Sequence, residues 1–276
     1  MSAVEGTSSE ALVWLAKDAL ARVPTADYWN DEAREKDKAF DIVDGDPNKL
    51  WRYLREETTY LEEYQSVLQQ VSALGRRLQG TGVDLAAGVC WTTALLSQLE
   101  AVERLFAVEV SQHRLLKLAP AVFKLMRANE AKICRALGSF YDIQLQDASV
   151  DFCMMSQAFH HADAPRRLLA EVQRLLKPGG LVLMIGEAPV YPSLLWKRRL
   201  LNIVKMGVPS SWYTTKPIYH VLPSFEALFP VDHDTGDHAY AIRDYRRMFR
   251  EQGLTLHERR TKRYTVFVAV KAGPVS

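Results

Sequence analysis

Apolar positions fall into two regimes along the chain. From residue 8 to about 79 they recur at helical spacing. Leu12, Leu15, Ala16, Ala19 and Leu20 share one face after the capping candidates Ser8 and Ser9, and Pro24 ends that helix. Asp46-Pro47 opens a longer helical stretch with one break, for which Leu50, Leu54, Leu61, Tyr64, Leu68 and Val71 form the predicted buried stripe. From residue 81 the pattern changes. Short apolar runs at 81–86, 105–110, 131–137, 150–156 and 181–187 alternate with helical stretches at 91–100, 111–127 and 164–176. Runs apolar at nearly every position are strands buried on both faces, the pattern of a parallel sheet covered by helices. Right-handed crossovers make such a sheet doubly wound.

Residues 188–239 interrupt this rhythm with prolines, an aromatic-basic run (WKRRLLNIVKMGVPSSWY) and the polar turn DHDTGD. A segment of that length is too long for an ordinary connector and is expected to be a cap or lid over the substrate. The rhythm returns with a helix at 240–252, closed by Gly253, and strands at 254–260 and 264–272. Three intervening residues force these strands into an antiparallel hairpin. The predicted fold is α/β: a Rossmann-like, mostly parallel, seven-stranded sheet with an antiparallel final strand. Residues 1–79 form an N-terminal helical layer, and 80–276 the core that carries the 188–239 insertion.

Composition adds bounds. The chain has 276 residues, 48% apolar and 25% charged, with a formal net charge of +2. That is an ordinary globular composition, and the charge is too small to point to nucleic acid or membrane as a partner. No run approaches the ~20 apolar residues of a membrane span, and the first residues lack a secretory pattern. Cys90, Cys134 and Cys153 match no zinc spacing and read as buried reduced thiols. Together these favour a cytoplasmic protein.

The chemistry begins at VDLAAGVCWTTALL. An acidic residue, Asp84, ends the first core strand; the small residues Ala86, Ala87 and Gly88 follow, and then a helix starts. Small residues let a ligand approach the backbone, and a helix start offers unpaired N–H groups. Glu109 ends the next strand 21 residues after Gly88, a spacing suited to binding ribose hydroxyls. By itself this arrangement also fits a nicotinamide cofactor.

From Gly82 to Glu187 the chain resembles the class I S-adenosylmethionine-dependent methyltransferases, in the branch with many sugar and natural-product enzymes. The resemblance rests on Asp84-Leu85-Ala86-Ala87-Gly88-Val89-Cys90. It rests more firmly on DASVDFCMMSQAFHHADAPRRLLAEVQRLLKPGGLVLMIGE, with its paired histidines and its LKPGG turn. It implies S-adenosylmethionine as cofactor. Asp84 and the turn Ala86 to Gly88 then face its methionine part, and Glu109, with Val110 beside it, holds the ribose. Ser139 and Phe140 lie near the adenine, and Ser156 and Gln157 near the sulfonium. Ala86 and Cys90 stand where glycine is usual, an exchange expected to be tolerated if φ at Ala86 stays negative. Ser139 stands where an acid is frequent.

The implied reaction is methyl transfer to a small molecule, with an oxygen of a sugar or natural product as acceptor. His160, His161 and Glu187 are the candidate catalytic residues, since a carboxylate can orient an imidazole and raise its basicity. Trp212, Tyr213, Tyr219 and His220 are candidates for lining the acceptor pocket. His233, Asp234, Asp237 and His238 read as a solvated turn, so no metal is expected. The expected partner is a small molecule, with neither nucleic acid nor membrane; a homodimer is compatible. The rival function is a catalytically silent methyltransferase-like domain that binds or scaffolds.

Overall fold

The computed structural model describes residues 11–14, 26–31, 48–206 and 222–273. They form an α/β fold around a single eight-stranded sheet in the order β1-β4-β3-β2-β5-β6-β8-β7. The strands are β1 (Leu12–Val13), β2 (Gly80–Leu85), β3 (Val102–Glu109), β4 (Ile133–Leu137), β5 (Val150–Ser156), β6 (Leu176–Glu187), β7 (Leu254–Arg260) and β8 (Thr265–Lys271). β1 to β6 pair in parallel, and β8 runs antiparallel between β6 and β7. After β1 at the edge, the chain passes to β2, winds outward through β3 and β4, then returns across β2 to β5. The reversal between β2 and β5 opens a crevice at the C-terminal ends of the strands, where open α/β sheets bind ligands.

The apolar strands bury both faces. On one side Val67, Val71, Ala94, Leu115 and, from α5 (Ala119–Met126), Val122 cover Leu105, Phe152 and Leu183. On the other, Leu168, Leu169 and Val172 of α6 (Pro165–Leu175), with Tyr245 and Phe249, cover Val83, Cys153 and Phe267. Cys90 and Cys153 are buried, and Cys134 is half-buried. No helix among the described residues is long and apolar enough to cross a membrane.

Two expectations for the N-terminal region are corrected. Leu12 and Val13 were expected in a helix; they form a strand beside β4, in register Leu12↔Ala136 and Val13↔Leu137. This raises the strand count from seven to eight. The open edge of β4 offers unpaired N–H and C=O groups, and pairing with them outweighs a local helical period. Leu15, Ala16, Ala19, Leu20, Pro24 and the Asp46-Pro47 start lie outside the described residues. The second helical stretch is a short helix α2 (Lys49–Arg52), a π-helical turn (Tyr53–Glu57) and α3 (Tyr60–Ala73). Its buried face is Tyr60, Glu63, Tyr64, Val67 and Val71, with Leu61 and Leu68 only half-buried.

Glu63 is fully buried, an unusual position for a carboxylate. It accepts the Gly186 N–H at 2.9 Å and the hydroxyls of Thr59 and Thr261 at 2.8 and 3.2 Å. The carboxylate therefore ties α3 to the end of β6 and to the β7–β8 turn. Removing it leaves the Gly186 N–H buried and unpaired. We predict that Glu63→Ala lowers stability by ~1–3 kcal/mol in urea unfolding, and that Glu63→Gln, which keeps an acceptor, costs less.

Candidate active site

Four parallel strands end at one edge, at Leu85, Glu109, Ser156 and Glu187. The turn after β2 is held in left-handed backbone at alternate residues: φ is +51° at Ala86, +56° at Gly88 and +63° at Cys90. The sequence-based condition that φ stay negative at Ala86 is not met. The turn keeps a glycine conformation although two of its three left-handed positions carry side chains, at a cost of ~1–2 kcal/mol each. The geometry at Gly88 explains why this strain is retained. Its N–H donates to Glu109 Oε2 at 2.7 Å, so the turn must curl toward the end of β3. A Cβ at Gly88 would meet only Arg114, at 3.8 Å, so space lies open above it.

Glu109 is 5% exposed. Its Oε1 accepts the N–H groups of Val110 and Ser111 at 2.9 and 2.8 Å. Three backbone donors fix the carboxylate at the edge and leave one further acceptor site, on Oε2. Asp84 lies deeper, fully buried. Its Oδ2 accepts the hydroxyls of Thr92 and Thr93, both at 2.6 Å, at the start of α4 (Trp91–Ser97). Burial pushes its carboxyl up to about 6, against the pull of those hydroxyls. Among the described residues, Asp84 Oδ1, Ser156 Oγ and the hydroxyl of Tyr64 on α3 are buried near this turn without a hydrogen-bond partner. The charge on Asp84 acts on the Tyr64 hydroxyl, whose pKa burial and that charge raise. Unsatisfied buried groups of this kind mark a place for a polar ligand. Ser139 and Phe140 follow β4, half-buried, where the Gly138 N–H donates to the Glu109 backbone oxygen at 3.0 Å. Gln157 has φ +54°, and its Cγ lies 2.4 Å from where a Cβ of Gly186 would sit, so position 186 has to be glycine.

A short 3₁₀ turn, Phe159–His161, follows β5. Glu187, fully buried at the end of β6, accepts the Phe159 N–H at 3.0 Å and the Tyr245 hydroxyl at 2.8 Å. His160 Nδ1 lies 3.2 and 3.3 Å from the two Glu187 oxygens. Burial disfavours charge on the His160 ring, but Glu187 outweighs it and raises the pKa. Glu187 likewise overcomes its own burial through His160 and Tyr245 and stays below the usual carboxylate range. The sequence had paired these two residues; Tyr245, on α9 (Ile242–Glu251), it had not.

The turn 232–237 departs from a solvated loop. His233 and Asp234 are exposed, but Asp237 Oδ1 lies 2.9 Å from His161 Nδ1. The short helix α1 (Ala26–Asn30) was also missed. Its Trp29 oxygen accepts the Ser111 hydroxyl, and Asn30 Oδ1 accepts the Gln112 N–H at 2.8 Å. The Trp29 ring lies 4.5 Å from the Arg114 guanidinium and 5.3 Å from the His161 ring. One tryptophan thus bridges the Glu109 side and the histidine side of the crevice. Neither it nor Tyr64 belongs to a motif, and only the polar tip of Tyr64 within an apolar stripe marked it in the sequence. Of the 188–239 insertion, α7 (Pro192–Met206) and α8 (Phe225–Leu228) are described. Trp212, Tyr213, Tyr219 and His220 lie outside the described residues.

Residues 83–184 match the family model of the methyltransferase domain. These residues form a methyltransferase domain, and its fold is that of the class I S-adenosylmethionine-dependent methyltransferases. An uncharacterized methyltransferase of Mycobacterium tuberculosis is 39% identical over 85 residues, 31% of this chain and 34% of that protein. A dimethylglycine N-methyltransferase of Parasynechococcus marenigrum is 33% identical over 106 residues, 37% of this chain and 35% of that protein. The chain thus spans about a third of the length of these curated relatives. The fold resembles the crystal structure of a SAM-dependent methyltransferase from Aquifex aeolicus, with a TM-score of 0.52 and 17% identity. That match covers 82% of this chain and 98% of the other. The methyltransferase domain's edge fits the cofactor of its family: it has a rigidly held carboxylate with a free acceptor site, open space above Gly88 and unpartnered polar atoms beside the turn.

The strained turn makes a prediction. Ala86→Gly relieves left-handed strain, so it should stabilise the domain by ~1 kcal/mol in urea unfolding. It should change affinity for S-adenosylhomocysteine less than ten-fold, because the backbone already has the glycine shape.

Proposed function

We propose that the protein transfers a methyl group from S-adenosylmethionine to an oxygen of a small-molecule acceptor, a sugar or natural product. The observation that carries this reading is the adjacency, along one sheet edge, of the Gly88–Glu109 cradle and the His160–Glu187–Tyr245 chain. When bound, S-adenosylmethionine supplies an electrophilic methyl group. Glu109 holds the ribose hydroxyls, with Val110 beside it, and Ala86, Ala87 and Gly88 line the methionine part. Asp84, Ser156 and Gln157 serve its polar end, and Ser139 and Phe140 flank the adenine. His160 is the proton acceptor. Glu187 holds its Nδ1, so Nε2 is the basic nitrogen, and Tyr245 and the Phe159 N–H fix Glu187 in turn. His161 flanks the acceptor on the other side.

The base is what favours oxygen. A hydroxyl has a pKa far above 7 and must lose its proton as the new bond forms, whereas a neutral amine has a lone pair ready. The dimethylglycine N-methyltransferase is named for an amine, so amines belong in the acceptor panel. Segment 188–239 contributes the acceptor's cover, as an insertion within the 80–276 core behind the 1–79 layer.

Two outcomes test this. Glu109→Ala should weaken S-adenosylhomocysteine binding ten-fold or more in calorimetry, the loss of ~1.5–3 kcal/mol from charge-assisted hydrogen bonds. Unchanged affinity removes Glu109 from the site. With an acceptor found by screening hydroxyl, thiol and amine compounds, His160→Ala should lower turnover by ~10²–10⁴ and leave cofactor affinity nearly unchanged.

The pH profile gives a separate check. Glu187 raises the His160 pKa, and the base works only when deprotonated, so activity falls as pH drops through that value. Glu187→Gln removes the charge and makes the ring less basic. The acid limb of the kcat/KM profile should therefore move to lower pH while maximal turnover falls. A limb that stays in place shows that another group titrates.

A further inference from the structure

Proton transfer through His160 and Glu187 uses neither His161 Nδ1 nor Asp237, yet the fold brings these two groups together. Asp237 comes from a turn whose shape is set by other groups. Asp232 Oδ1 accepts the N–H groups of Asp234 and Thr235 at 2.9 and 3.3 Å, and the Asp232 N–H donates to the Asp237 backbone oxygen at 3.0 Å. The next residue, His238, donates its N–H to the backbone oxygen of His160 at 2.8 Å, so the turn is tied to the histidine segment. The result is a cluster in which one ligand atom each of His160, His161 and Asp237 lies within 4.8 Å of the others, and the nitrogens that approach Asp237 Oδ1 are His160 Nε2 and His161 Nδ1.

The satisfaction of these atoms is uneven. His161 Nδ1 and Asp237 Oδ1 are both sealed from solvent and face each other as an ion pair, with no further hydrogen-bond partner. Their 2.9 Å approach does not have hydrogen-bond geometry. His160 Nε2 lies 4.0 Å from the same Asp237 oxygen. Its ring is held from behind, because Nδ1 faces the buried Glu187 carboxylate at 3.2 Å. A carboxylate behind one imidazole nitrogen is the usual support of a metal-binding histidine, fixing its tautomer and raising its donor strength. Glu187 is itself fixed by Tyr245 and the Phe159 N–H, so the support is rigid.

We infer that His160 Nε2, His161 Nδ1 and Asp237 Oδ1 form a binding site for a divalent first-row transition-metal ion. Two imidazoles and one carboxylate are the donor set of zinc, cobalt and nickel rather than of magnesium or calcium. Donors bonded at ~2.1 Å around a tetrahedral ion stand ~3.4 Å apart. The observed 2.9 and 4.0 Å lie on either side of that value, so side-chain adjustment alone closes the site. Three protein donors leave coordination positions for water or a small ligand. Ligation takes the Nε2 that proton transfer needs, so the metal-loaded and base-competent states of His160 exclude each other. The inference goes beyond methyl transfer, and ion binding is measured with neither cofactor nor acceptor present.

The experiment uses the full chain, stripped with chelator and dialysed, then titrated with zinc chloride in a calorimeter and with cobalt chloride by visible absorption. One ion per chain is expected, with cobalt showing the intense ligand-field bands of a low-coordinate nitrogen–oxygen site. Asp237→Asn keeps the side-chain shape and should weaken zinc binding at least ten-fold, as should His161→Ala. His233→Ala, at an exposed position of the same turn, should bind as the parent does. Absence of saturable binding overturns the inference. So does an affinity unchanged by Asp237→Asn, or one lowered as much by His233→Ala, since each places the ion elsewhere.

Discussion

The end of β6 carries a carboxylate, Glu187, with no exposure to solvent, and the neighbouring elements are arranged around keeping it charged. An isolated buried carboxylate costs several kcal/mol, and removing one partner of such a group is far more damaging than never burying it. Here the Phe159 N–H, the His160 ring and the Tyr245 hydroxyl supply the donors. They come from the turn after β5 and from α9 on the covering layer. One anion therefore sets the tilt of the 3₁₀ turn, the seating of α9 and the orientation of an imidazole at the sheet edge. The bulge in the β6–β8 pairing between Met184 and Glu187 allows the last residue of β6 to turn into this position.

A second buried carboxylate does comparable work on the opposite face. Glu63 reaches from α3 to the Gly186 N–H, one residue before Glu187. The two acids thus clamp the end of β6 from both sides. Gly186 is the residue that permits it, with φ +73° and Gln157 packed where a side chain would be. Strain is concentrated along the same edge. Ala86, Cys90 and Gln157 all hold left-handed backbone, a conformation costly for any residue with a Cβ. Such strain persists only where the surrounding structure over-determines it, and it clusters at functional sites. The core strands supply that constraint here, with both faces of the sheet packed and the Gly88–Glu109 bond closing the turn.

The N-terminal region shows how a covering layer becomes part of a site. α3 places Tyr64 against Trp91 at the start of α4, with a ring separation of 6.3 Å. α1 lays Trp29 between Arg114 and His161. Neither contact needs a motif. Each needs only a polar-tipped aromatic ring, able to bury its body and present an edge or hydroxyl to the crevice.

The alternation of apolar runs and amphipathic helices determined the parallel sheet, its hairpin ending and the edge where ligands bind, because strand period and crossover handedness are local properties of the chain. The placement of Asp84, Gly88, Glu109, His160 and Glu187 along that edge was legible for the same reason: each sits at a fixed offset from a strand end. Pairing of Leu12 and Val13 with β4 was not legible, since a short apolar run fits either period and only an open sheet edge decides between them. The sign of φ at Ala86 was likewise set by the pull of Glu109 on Gly88, across 21 residues of sequence. Nothing in the sequence marked Glu63, which is buried because Gly186 and Thr261 converge on it. Asp237 looked like part of a solvated turn until the His238–His160 backbone bond brought it to the paired histidines. In each case the deciding partner lies far along the chain, and folding alone brings it within hydrogen-bond or ion-pair reach.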